Sequence, residues 1–171
     1  MDDIAGRKAL IKASGLKKGY ILDVGLGACG CMSFFLAGKG FKVIGTDYSK
    51  QAVHDARVSA KQKKFKGDFQ ARLANAEKLP FTKNEFDAVI AYRSLHHISN
   101  VKKAIAEMFR VCKKNGFVLI SDPNEKELIK YEHILDAQEH FKRIEVALIK
   151  YTELIKKAKT KHTNMFICKK Y

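Results

Sequence analysis

Between Tyr20 and Ile120 the chain alternates short apolar runs with segments of helical period, and this rhythm constrains the fold more than any other feature. The runs are Tyr20–Val24, Phe41–Gly45, Phe69–Leu73, Phe86–Tyr92 and Phe117–Ile120, each of strand length and most of them apolar nearly throughout. Between them, Met32–Ala37, Ser49–Lys63 and Val101–Lys114 place small or apolar residues on one helical face, as Val53, Ala56 and Ala60 do. Strands that alternate with helices must lie parallel, joined by right-handed crossovers that put helices on both faces of one sheet. The expectation is an α/β, doubly wound fold. An amphipathic helix at about Ile4 to Ser14 precedes it. After Pro123 the alternation stops, and the chain reads as a helix over Lys126–Gln138, a long alternating strand over Phe141–Tyr151 and a short strand over Asn164–Lys169. The link between these last two strands has room for a helical turn, Glu153–Ala158, so they are expected to pair antiparallel.

Composition narrows the setting. No apolar run approaches the ~18 residues of a membrane span, and the opening MDDIAGRKAL is acidic where a signal peptide is basic. The reading is a soluble, cytoplasmic protein with no membrane association. Cys29 and Cys31 form C-x-C inside a glycine turn without further ligands at zinc-site spacing, so all four cysteines are expected as free thiols and no metal is assigned. The net charge is +15. Such an excess favours polyanions such as RNA or anionic lipid. The charge is carried by scattered lysines and only six arginines, so a solvated lysine-rich surface is an equal alternative.

The stretch LDVGLGACG, Leu22 to Gly30, places G-x-G-x-x-G directly after the first strand and before a helix. Gly25 can make the tight turn, and Gly27 lets a ligand approach the backbone. Nicotinamide and flavin enzymes share this pattern, but Asp23 stands at its mouth, where a pyrophosphate would meet a like charge. A ligand with an ammonium group would be attracted instead, and S-adenosylmethionine carries one. Asp47, at the end of the second strand, can accept both hydroxyls of a ribose. Tyr48 can lay its ring on an adenine. Asn75 can accept from the adenine amino group while the Ala76 N–H donates to a ring nitrogen.

The ordered set LDVGLGACG, VIGTDYS, AEKLPF, FDAVIAYRSLHHI and AIAEMFRVCKKNGFVLISDP resembles the class I S-adenosylmethionine-dependent methyltransferases, most nearly the UbiE-like type 11 branch. It covers about Gly19 to Pro123, roughly three-fifths of the chain. The resemblance implies a Rossmann-like, seven-stranded sheet, mostly parallel with an antiparallel last strand, within a single domain 1–171. In that domain residues 1–18 form an N-terminal helix, 19–123 the cofactor-binding half, and 124–171 a C-terminal helix and strand pair. It also implies S-adenosyl-L-methionine as cofactor, with Asp23, Gly25 and Gly27 facing the methionine part, Asp47 the ribose, Tyr48, Asn75 and Ala76 the adenine, and Tyr92 the floor near the sulfonium. The chain departs from the family's pattern at Cys29, where the third glycine usually stands, and at Asn75, which is usually aspartate.

Methyl transfer needs alignment and water exclusion, with a general base only for acceptors that hold their proton tightly. His96 or His97, after the fourth strand, can be that base, and Arg93 can bind an anionic acceptor. The absence of Asp/Asn-Pro-Pro-Tyr/Phe after that strand disfavours amino methylation of that type, and the absence of Tyr-x-x-x-Lys disfavours a short-chain dehydrogenase. Because no insertion of lid size is visible, a macromolecular acceptor such as RNA, a homo-oligomer or partner supplying a lid, or a closing loop is expected. A catalytically silent subunit that binds RNA or a protein is the alternative, and a nicotinamide oxidoreductase the third.

Overall fold

A computed structural model describes residues 3–131, 136–153 and 155–171. The strands are β1 (Tyr20–Val24), β2 (Lys42–Asp47), β3 (Phe69–Leu73), β4 (Phe86–Tyr92), β5 (Cys112–Pro123), β6 (Ile155–Lys159) and β7 (Thr163–Lys169). The α-helices are α1 (Ile4–Ser14), α2 (Cys31–Gly38), α3 (Lys50–Lys61), α4 (Val101–Val111), α5 (Glu125–Tyr131) and α6 (Ala137–Leu148). The seven strands form one sheet in the order β3-β2-β1-β4-β5-β7-β6. β1 to β5 run parallel, while β7 is antiparallel to both β5 and β6. The doubly wound sheet with an antiparallel last strand is therefore present.

The period-2 alternation of the central strands sorts the core into two layers. Ile21, Val43, Ala88, Ile90 and Leu119 point to one face, where Leu10 and Ile11 of α1 and Met32 and Leu36 of α2 cover them. Leu22, Ile44, Val89, Ala91 and Val118 point to the other, against Ile105, Met108 and Phe109 of α4 and Phe141, Ile144 and Leu148 of α6. From Ala88 to Ala91 β4 is buried on both faces because helices cover both, which explains the unbroken apolar run there.

The C-terminal third corrects the sequence reading in three places. Phe141–Tyr151 is not a strand: Ala137, Phe141, Ile144, Ala147 and Leu148 recur at helical spacing and are buried, and Asp136 caps the helix by accepting from the Glu139 N–H. The alternation of Ile144, Val146 and Leu148 mimicked a strand, yet Val146 is solvent-exposed. The segment read as a helical turn, Glu153–Ala158, instead supplies most of β6, a lysine-bearing edge strand of the kind that resists further pairing. The helix expected over Lys126–Gln138 is α5 at its start and α6 at its end, and residues 132–135 of that expectation lie outside the described residues. α4 also ends sooner than expected, at Val111, because Cys112 to Asn115 already belong to β5.

Candidate active site

β1 feeds strands to one side and β4 to the other, so their carboxyl ends part and open a crevice at the switch point. A cleft of about 710 Å³ lies there, with walls that include Gly25, Gly27, Asp47, Tyr48, Asn75, Ala76 and His97. Most of the residues singled out in the sequence thus meet around one space, although they come from separate connections.

Each wall is held by local chemistry. Gly25 has φ +79°, and a Cβ there would run into the Ser94 side chain, whose hydroxyl donates to the Val24 carbonyl at 2.7 Å. Only glycine lets the loop after β4 close on the end of β1. Gly27 faces open space, so its bare backbone is presented to the cleft. Asp47 accepts from the Gly27 N–H at 3.0 Å through Oδ2 and from the Ser49 N–H at 2.9 Å through Oδ1. Both oxygens keep a free lone pair for a further donor. Tyr48 is 78% exposed at the rim. Asn75 Oδ1 accepts from the Glu77 N–H, which shapes the turn that brings Asn75 and Ala76 to the cleft wall.

α4 straps this third wall in place, which the sequence did not reveal. Glu107 accepts from the Leu79 N–H at 2.8 Å, and Arg110 donates to the Leu79 and Phe81 carbonyls while paired with Glu107. Glu77 in turn accepts from the Asn100 N–H at the start of α4. These are long-range contacts between i and i+23 to i+31 partners, so no local pattern announces them.

Asp23, Tyr92 and His96 do not line the cleft. Asp23 is buried beneath the glycine turn, where Oδ2 accepts from Ser33 Oγ at 2.6 Å and Oδ1 has no hydrogen-bond partner among the described residues. Burial pushes its carboxyl up to about 6 against the pull of Ser33. Tyr92 points toward α1 and donates to Asp3 Oδ2 at 2.8 Å, and Asp3 also caps that helix. Burial, then the Asp3 carboxylate, push its phenol above the ordinary tyrosine value.

The two histidines separate. His97 is exposed on the cleft wall beside Arg93, while His96 lies behind it with ring centroids 4.0 Å apart. His96 Nδ1 is 3.1 Å from Asp122 Oδ1, and His140 Nε2 is 2.9 Å from the other oxygen of the same carboxylate. Burial raises the Asp122 carboxyl, but the hydrogen bonds and charges of His140 and His96 outweigh it and hold the group below its ordinary value. Arg93 adopts φ +53° while its N–H donates to the Ser121 carbonyl at 2.6 Å. A left-handed arginine costs backbone energy and tends to mark a functional site.

One expectation fails at the turn itself. Cys29 and Cys31 form a disulfide, not free thiols, because the glycine turn with Gly30 at φ +56° brings their Cα atoms to 5.1 Å. Cys112 and Cys168 are the buried free thiols expected, each pushed up to about 12 chiefly by burial. Among the described residues no acid, histidine or cysteine cluster could hold a metal, and no helix is long and apolar enough to cross a membrane.

The chain is similar to known proteins in sequence and in fold. Residues 16–167 fit the model of a methyltransferase-domain family. The ubiquinone biosynthesis O-methyltransferase of Pelagibacter ubique is 32% identical over 110 residues, 64% of this chain and 44% of that protein. The ubiquinone/menaquinone biosynthesis C-methyltransferase UbiE of Pasteurella multocida is 32% identical over 117 residues, 67% of this chain and 44% of that protein. The chain thus spans less than half the length of these curated relatives. A solved SAM-dependent methyltransferase from Aquifex aeolicus superposes with TM-score 0.77 at 22% identity, covering 99% of this chain and 95% of that one, which shows a shared fold. With its model matched over most of its length, the chain belongs to the methyltransferase-domain family.

Proposed function

We propose that the protein binds S-adenosylmethionine in the cleft at the carboxyl ends of β1 to β4 and transfers its methyl group to an acceptor on the Arg93–His97 side. One observation carries this reading: Asp47, placed at the end of β2, is oriented by two backbone N–H groups and still presents acceptor capacity to the cleft. That is the arrangement a ribose diol requires. Tyr48 at the rim offers a face for adenine, while Asn75 can accept from its amino group and the Ala76 N–H can donate to a ring nitrogen. The bare Gly25–Gly27 turn accommodates the methionine end. Asp23 acts there through space, its buried charge favouring a cationic ligand above it without touching it.

When bound, the cofactor supplies an electrophilic methyl on a sulfonium. The chain's part is to align the acceptor and keep water out. His97 is the cleft-facing imidazole, suited to take the acceptor's proton as the new bond forms. His96, anchored on Asp122, packs against His97 and limits where its ring can lie. Tyr92 serves as a brace between the site and α1.

Calorimetric titration with S-adenosylmethionine and, separately, NAD tests the reading. Binding of the first alone is expected, and Asp47→Ala should weaken it by about 1.5–3 kcal/mol, the worth of hydrogen bonds to a charged group. Binding of NAD alone, or unchanged affinity in the variant, would refute the assignment.

A further inference from the structure

A second concavity, of about 780 Å³, lies at the opposite edge of the sheet. It is formed where the connections into β1, β2 and β3 come together. Lys8 and Lys12 reach it from α1, Lys17 from the α1–β1 link, Lys39 from the turn after α2, and Lys66 from the link before β3. All five are exposed, and among the described residues no acidic side chain lines the groove. Among the described residues none of the five forms an ion pair.

The charge imbalance extends beyond the groove. From Ile4 to Thr46 the chain holds a single acid, Asp23, which is buried near the other edge of the sheet. Helix ends explain part of this pattern: Lys12 in the last turn of α1 and Lys39 at the end of α2 complement helix dipoles. Lys8, Lys17 and Lys66 have no such role. Part of the carbonyl charge at these helix ends is already taken up: the Gly15 N–H is shared between the Ile11 and Lys12 carbonyls of α1, and the Lys39, Gly40, Phe41 and Gly67 N–H groups donate to the Leu36 and Ala37 carbonyls of α2.

From this juxtaposition we infer that the five-lysine groove is a docking site for the phosphate backbone of single-stranded RNA, remote from the cofactor cleft. Lysine ammonium groups meet phosphates as point charges without the planar fork that reads bases, so binding should be indifferent to sequence. Cations on both walls of a concavity suit a strand lying within it. Ile11 and Phe41 form a buried apolar floor, along which the lysine stems can lie.

Fluorescence anisotropy with a labelled mixed-sequence 12-mer RNA, titrated across salt, is the test. Neutralising five phosphates of a single strand predicts a log–log salt slope of about −3.5. The variant Lys12→Glu/Lys39→Glu/Lys66→Glu should bind more than tenfold more weakly at low salt and with a shallower slope. The control Lys126→Glu/Lys142→Glu/Lys150→Glu, equal in net charge, should stay within threefold of the parent protein. Circular dichroism and S-adenosylmethionine titration of both variants verify folding independently of the groove. Equal losses in the two variants, no RNA binding, tighter binding to the matching duplex, or binding to phosphatidylserine vesicles in place of RNA would each overturn the proposal.

Discussion

Replacing Asp23 by asparagine separates the energetic cost of this buried carboxyl from its use. Burial has raised the group from 3.8 to about 6 in the folded protein. At 1.36 kcal/mol for each tenfold change in proton affinity, that rise amounts to about 3 kcal/mol. Because the folded value is the higher one, the contribution to stability is present below the unfolded value and is lost as pH rises through 6. Ionised Asp23 therefore destabilises the fold at neutral pH. Asparagine does not titrate, so from pH 5 to pH 8 the unfolding free energy of the variant should improve relative to the parent by roughly 1.5 kcal/mol. A second effect is independent of pH. The amide N–H₂ of the variant replaces an oxygen that has no partner among the described residues, or displaces the one that accepts from Ser33, and costs about 1–3 kcal/mol throughout. The informative quantity is thus the change in the difference with pH, measured by urea unfolding of both proteins near pH 5 and pH 8. A difference that does not vary with pH would refute the reasoning. Titration with S-adenosylmethionine at pH 8 completes the test, with weaker binding by the variant expected if the buried charge attracts the ligand.

Two further outcomes follow from the geometry around the cleft. Gly25→Ala should destabilise the fold by about 2–3 kcal/mol, through positive φ and overlap with Ser94, and thermal melting that shows no change would contradict that packing. Asp122→Asn should cost about 2–3 kcal/mol at pH 7, since the carboxylate anchors both His96 and His140. Its folded-state carboxyl lies low, so its contribution is present above the ordinary carboxyl range and lost in acid, and the gap measured by urea unfolding should shrink below about pH 4.

Much of this protein is legible in the order of its residues. The runs Tyr20–Val24, Phe41–Gly45 and Phe86–Tyr92 are largely apolar because their strands are covered on both faces, and that burial is written locally as composition and length. The glycine turn is legible for a similar reason: Gly25 and Gly27 hold positive φ, a constraint of the residue itself. Since parallel strands deliver all their carboxyl ends to one edge, strand order along the chain already brings Asp47, Tyr48, Asn75 and Ala76 to a common rim. Direction and depth were decided by the tertiary structure. Asp23, Tyr92 and His96 each stand close to a cleft residue in sequence, yet each turns away, drawn to Ser33, Asp3 and Asp122 from distant elements. The helix at Ala137–Leu148 hid behind an alternating pattern that only packing on α4 resolves. The convergence of Lys8, Lys39 and Lys66 on one groove was equally invisible, because three connections well apart in sequence become neighbours only when their strands pair. Local conformation is set by each residue and its near neighbours, whereas the direction a polar side chain takes depends on partners that the completed sheet alone brings within reach.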